Sequence, residues 1–127
     1  MIDIKWMVPL LIGLFLAGCG PDTIVVRPGL DTPSLHVANG YQLLERGKVD
    51  DAYREFERAK ELEPYCVKAY VGLGVTLGKM GDIDAGMKTL ALAERIAGSA
   101  REHEAVQKGY AQLNELKRTR KDRDQGR

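Results

Sequence analysis

The chain holds little of what enzyme chemistry is usually built from. Its 127 residues include two cysteines, two histidines, one tryptophan and two phenylalanines. Two cysteines, Cys19 and Cys66, are too few for the disulfide framework that staples small secreted domains. Neither His36 nor His103 has a second histidine, a cysteine or a paired carboxylate at metal-ligand or catalytic-triad spacing, so no metal site and no catalytic set is expected. A charge excess is missing as well: 19 basic residues against 18 acidic give +1, and nothing global calls for a polyanionic partner. Gly72–Gly78 is not a phosphate-binding loop, because Leu77 stands where a dinucleotide fingerprint needs glycine and no strand precedes it. Glu55, Glu57, Glu61 and Glu63 interleave with Arg54, Arg58 and Lys60, which reads as a solvated helix side rather than an acid/base pair.

A long apolar run is also absent. A membrane-spanning helix needs about 20 apolar residues. Here the run Trp6–Ala17 has twelve, contains Pro9 and follows a single cation, Lys5. That is the layout of a signal peptide, with a plain secretory signal and an uncleaved anchor as competing readings. The four residues Leu16-Ala17-Gly18-Cys19 closely resemble the lipobox of bacterial lipoproteins. Small Ala17 and Gly18 suit a protease cleft, and a thiol is what forms the thioether. The resemblance implies that residues 1–18 are a signal peptide removed before Cys19, which becomes lipidated with diacylglycerol and an N-acyl chain. No other cofactor is expected. Gly20, rather than aspartate, follows the cysteine, so the resemblance favours the outer membrane facing the periplasm if the source is Gram-negative.

Residues 19–33 then read as a lipidated N-terminus and flexible tether, because three prolines and two glycines in residues 20–33 break helix and strand alike. Fourteen such residues could reach about 45–50 Å. Within them Thr23-Ile24-Val25-Val26 is β-prone, either a spacer or a piece that docks on the domain or a partner.

From Thr32 onward the pattern becomes helical and repeats at an offset of 34 residues. Gly40 matches Gly74, Leu43 Leu77, Gly47 Gly81, Asp50 Asp84, Phe56 Leu90 and Ala59 Ala93. Thr32 is read as a cap with Pro33 at the first helical position, Gly47 and Gly81 as left-handed terminators, and Pro64 as a stop. Ser99-Ala100-Arg101-Glu102 is a capping box that opens a further helix, whose apolar stripe runs Ala105, Val106, Gly109, Tyr110, Leu113, Leu116. The spacing Gly40, Gly47, Ala52, Phe56, Ala59, Pro64 resembles the tetratricopeptide repeat. The second unit departs from it at Gly86, where alanine is usual, and a mid-helix glycine costs about 1 kcal/mol relative to alanine.

The resemblance implies an all-α fold: a short helical-hairpin solenoid with two units over residues 34–98, a capping helix over 99–118 and a basic disordered tail over 119–127. Carried over by aligned position, it implies a peptide groove lined by Val37, Tyr41, Leu44, Lys68, Val71 and Val75. The function implied is a non-catalytic, membrane-anchored adaptor for a protein or peptide partner in the cell envelope, assisting assembly or localisation of a complex such as a pilus or secretion system. No nucleic acid is expected. Two other readings stay open, a self-associating structural lipoprotein and a redox protein using Cys66. Replacing Cys19 by serine is expected to leave an intact helical domain that no longer sediments with membranes, as fractionation would show.

Overall fold

The computed structural model describes residues 28–126, so the expected signal peptide, Cys19 and the β-prone piece Thr23–Val26 lie outside the described residues. Among the described residues all regular structure is helical. A 3-10 turn at Pro28–Leu30 leads into α1 (Pro33–Glu45), α2 (Val49–Leu62), α3 (Val67–Lys79), α4 (Ile83–Ile96) and α5 (Ala100–Gln125).

Helix boundaries fall where backbone chemistry puts them. The Thr32 side chain accepts from the Leu35 N–H at the start of α1, with Pro33 at the first helical position. Gly47 has φ +74° and Gly81 φ +101°, the left-handed conformation that closes a helix. At each, two backbone bonds complete the closure: Lys48 N to Leu43 O with Gly47 N to Leu44 O, and Asp82 N to Leu77 O with Gly81 N to Gly78 O. The two turns are therefore copies of one motif. The Ser99–Glu102 capping box is present in both directions at the start of α5.

Short turns fold α2 back on α1 and α4 back on α3, and α1, α3 and α5 run side by side in one direction. Parallel alignment of α3 with α5 follows from who meets whom: a Cβ on Gly109 would stand 3.4 Å from the Val71 side chain, and one on Gly78 would meet Leu113 and Leu116. The core consists of large side chains seated against glycines. Phe56, fully buried, lies against both Gly40 of α1 and Gly72 of α3. Leu90, 34 residues later and also fully buried, lies against Gly74 of α3 and Gly109 of α5. A Cβ at Gly40 would come to 2.7 Å from the Phe56 ring, and one at Gly109 to 2.8 Å from Leu90. Real side chains do not reach these distances, so the helices approach as closely as they do because side chains are missing there.

Two expectations change. Gly86 is not simply a weak point of α4: a Cβ there would stand 2.6 Å from the Gly74 carbonyl oxygen and 3.0 Å from Leu113. Glycine at this position lets α4 touch the backbone of α3. The second change concerns residues 119–125, expected as disordered tail, which continue α5 to Gln125. Lysine, arginine and glutamine are good helix formers. Arg118 pairs with Glu115 at 2.7 Å, and Arg120 donates to the Gly81 carbonyl at 3.1 Å, fixing the extension to the α3–α4 turn.

Gly86→Ala should therefore lower stability by about 1–3 kcal/mol through overpacking, against the roughly 1 kcal/mol that alanine gains in helix propensity. Urea unfolding followed by circular dichroism would show which wins; a more stable variant would contradict the close contact.

Candidate peptide-binding clefts

The expected groove does not form as a line. Val37, Val71 and Val75 are 7%, 5% and 3% exposed, inside the core rather than on it. Val37 packs with Ala59 of α2 and Ala69 of α3, and Val71 with Leu90, Val106 and Leu113. The reason is geometric. In three helices lying side by side, the apolar face of each meets its neighbour, and α5 covers the side of α3 that carries Val71. Leu44 is half-buried against the cluster of Ala52, Phe56 and Leu73, and Tyr41 rests edge-on against Phe56, with ring centroids 5.1 Å apart. Burial pushes the Tyr41 hydroxyl pKa up to about 12. Of the six residues, Lys68 and Tyr41 reach solvent, and Leu44 does so in part.

What the stack creates instead is a cleft at the shared N-terminal end of α1, α3 and α5. Its volume is about 270 Å³, and it is lined by Ser34, Val37, Glu63, Tyr65, Cys66, Val67, Lys68 and Glu102. Ser34, Lys68 and Glu102 stand 34 residues apart, so the repeat that spaces the helices also brings one position of each to the same place. A second cleft of about 290 Å³ opens on the other side of Tyr65, between Pro64, Tyr70, Leu92, Arg95 and Ile96. Tyr65 is 76% exposed and Leu92 48%, which puts an aromatic ridge between two hollows. Sequence reasoning missed this ridge because Tyr65 sits in the α2–α3 connection, outside any helical periodicity.

Of the polar groups in the first cleft, Glu102 is committed to the start of α5. The Glu102 carboxylate accepts from the Gly98 N–H at 2.9 Å and from the Ser99 N–H at 3.0 Å, and these bonds hold its pKa below the ordinary glutamate value. The Cys66 thiol lies at the N-terminus of α3, where backbone N–H groups favour a thiolate, yet burial outweighs them and pushes its pKa up. That is opposite to the activation a nucleophilic or redox cysteine needs. Among the described residues no group of three His, Cys, Asp or Glu side chains is placed to hold a metal ion.

No family model, curated relative or solved structure matches the chain.

A charged cluster fastens the segment preceding α1. His36 Nε2 lies 2.7 Å from Asp31 Oδ1, and Nδ1 lies 2.8 Å from Glu55 Oε2. Arg58 donates through Nε to Asp31 at 3.1 Å and through a second, shorter bond. Residues 28–32, expected as tether, are thereby tied to α1 and α2. Burial draws the His36 pKa down, but the bonds to Glu55 and Asp31 together prevail and raise it. Arg58 and then His36 lower the Asp31 pKa to about 2. Both shifts fix a pH response. The His36 contribution is complete below about 6.5, its unfolded pKa, and is lost as pH rises through the higher folded value. That of Asp31 is present above its unfolded pKa and is lost as pH falls toward 2. Unfolding midpoints should decline as pH rises above neutral, and His36→Gln should flatten that decline; an identical slope in both proteins would remove His36 from the cause.

Proposed function

We propose that this chain is a lipid-anchored, non-catalytic adaptor of the cell envelope, built as a short tetratricopeptide-like solenoid that receives a peptide across Tyr65. The lipobox-like Leu16-Ala17-Gly18-Cys19 supplies the anchor, and the observation that carries the binding reading is the Tyr65 ridge with a cleft on each side. Each hollow is near the lower end of the size range for ligand sites, which suits single side chains better than a whole small molecule. An extended peptide places alternate side chains about 7 Å apart, so two apolar residues flanking one small residue could straddle the tyrosine ring. Arg95 at the margin of the second cleft would favour an acidic residue there, whereas Glu63 and Glu102 offset Lys68 in the first.

Anchoring adds effective concentration to such a contact. A weak peptide interaction becomes productive when groove and partner share one membrane face. Because residues 28–32 are fastened to the helices, the eight residues from Gly20 to Arg27 can span at most about 28 Å. The clefts would then sit within one small-domain diameter of the lipid headgroups.

The test is a photo-crosslinking residue at position 65 or 92 in the full chain, with the exposed position 54 near the start of α2 as control. Adducts of one discrete partner at 65 and 92, absent at 54 and lost with Cys19→Ser, are expected. Adducts consisting of the chain alone would favour the self-associating structural reading, and equal labelling at all three positions would discard the ridge. Tyr65→Ala should reduce partner capture at least tenfold, the loss of an aromatic anchor of about 1.4 kcal/mol or more, with helicity unchanged.

A further inference from the structure

At the opposite end of the stack, α5 outruns its neighbours. α3 ends at Lys79, level with Leu113 of α5, and α5 continues twelve residues to Gln125. This arm extends about 18 Å past the helix beside it. Between its underside and the α3–α4 turn lies an open wedge of about 1070 Å³.

The walls of the wedge are not uniform. Val106, Gly109 and Leu113 form the buried stripe of α5, and half-buried Leu116 extends it. Leu116, Arg120 and Arg123 follow at helical spacing, so the stripe that meets the core turns cationic where the core ends. The facing wall carries Lys79, Ile83 and Met80, the last 50% exposed. Two acidic groups also line the wedge, Asp82, which caps α4 by accepting from the Ala85 N–H at 2.9 Å, and Asp124 beside Arg123, so the three cations remain in excess by one. Among the described residues Lys79 and Arg123 have no carboxylate partner, and Arg120 is bonded to a carbonyl rather than an anion. A floor of Leu116, Ile83 and Met80 under three cations is thus left open to solvent.

We propose that this wedge binds an acidic peptide segment carrying an apolar residue. Carboxylates of the segment pair with Arg120, Arg123 and Lys79, while its apolar side chain lies on Met80 and Leu116. Arginine suits this role because its planar fork holds a carboxylate in two-point contact, and its stem can lie on apolar surface. The size of the wedge fits several residues of chain. The site is separate from the Tyr65 ridge and does not depend on it.

The experiment measures fluorescence anisotropy of a labelled synthetic peptide that alternates glutamate and leucine, titrated with the full chain in neutral detergent, with a lysine–leucine peptide as control. Saturable binding of the acidic peptide alone, weakened by added salt and about tenfold weaker with Arg120→Ala/Arg123→Ala, is expected from two lost charge pairs. Since Arg120 also fastens the arm, Met80→Glu on the facing wall serves as a second variant that leaves α5 intact, and it should weaken binding comparably. Tyr65→Ala should leave this binding unchanged. Absence of peptide binding, or binding that neither variant alters, would overturn the proposal. So would arginine-dependent attachment to phosphatidylglycerol vesicles without peptide binding, or sedimentation showing that the same arginines hold two copies of the chain together.

Discussion

Everything in this molecule hangs on large side chains seated between glycines. Phe56 projects from α2 into the space left by Gly40 and Gly72, and Leu90 projects from α4 into that left by Gly74 and Gly109. Each ring or branch touches two neighbouring helices at once, so it sets both their separation and their register. Helices separated by ordinary side chains lie 8–10 Å apart, whereas glycine contacts allow the lower end of that range. With α1, α3 and α5 drawn together this way, their N-terminal turns converge and the cleft between Ser34, Lys68 and Glu102 follows. A different residue at Gly72 would therefore disturb the site without touching it.

This constraint also explains why the two ends of the stack differ. At the N-terminal end the helices begin level with one another, and the preceding chain is clamped by Asp31, His36, Glu55 and Arg58. Such a cluster is partly exposed and weak in energetic terms, yet it fixes where the chain arrives. At the other end nothing keeps the helices equal in length. α3 must stop at Gly81 because the chain turns back, while α5 meets no turn and runs on in water, held by Arg120 and by ion pairs along its own surface.

Sequence periodicity made the helices, their caps and the 34-residue repeat legible, since those depend on local chemistry at Thr32, Pro33, Gly47, Gly81 and Ser99. It could not say which neighbour an apolar face meets. Val37, Val71 and Val75 look like a groove because they are apolar at helical spacing, but burial between helices produces the same pattern. Gly86 reads as a helix defect until the Gly74 carbonyl beside it is seen. Tyr65 carries no periodic signal at all, and the seven residues after Arg118 look unstructured by charge density although each is a fair helix former apart from threonine and aspartate.

A stack built this way is suited to act as a ruler. The Tyr65 ridge and the arm's wedge are joined through α3, whose thirteen residues span about 20 Å. Its face of Val67, Val71, Gly74 and Gly78 is buried and close-packed. Two occupants, one at each end, would be held at a separation set by the length of this helix. On the lipid-anchored adaptor reading proposed above, that would be a sufficient mechanism for bringing two envelope components together. On the two proposals made above, its specificity would reside in what each end recognises: apolar side chains across Tyr65, and carboxylates beside Arg120 and Arg123.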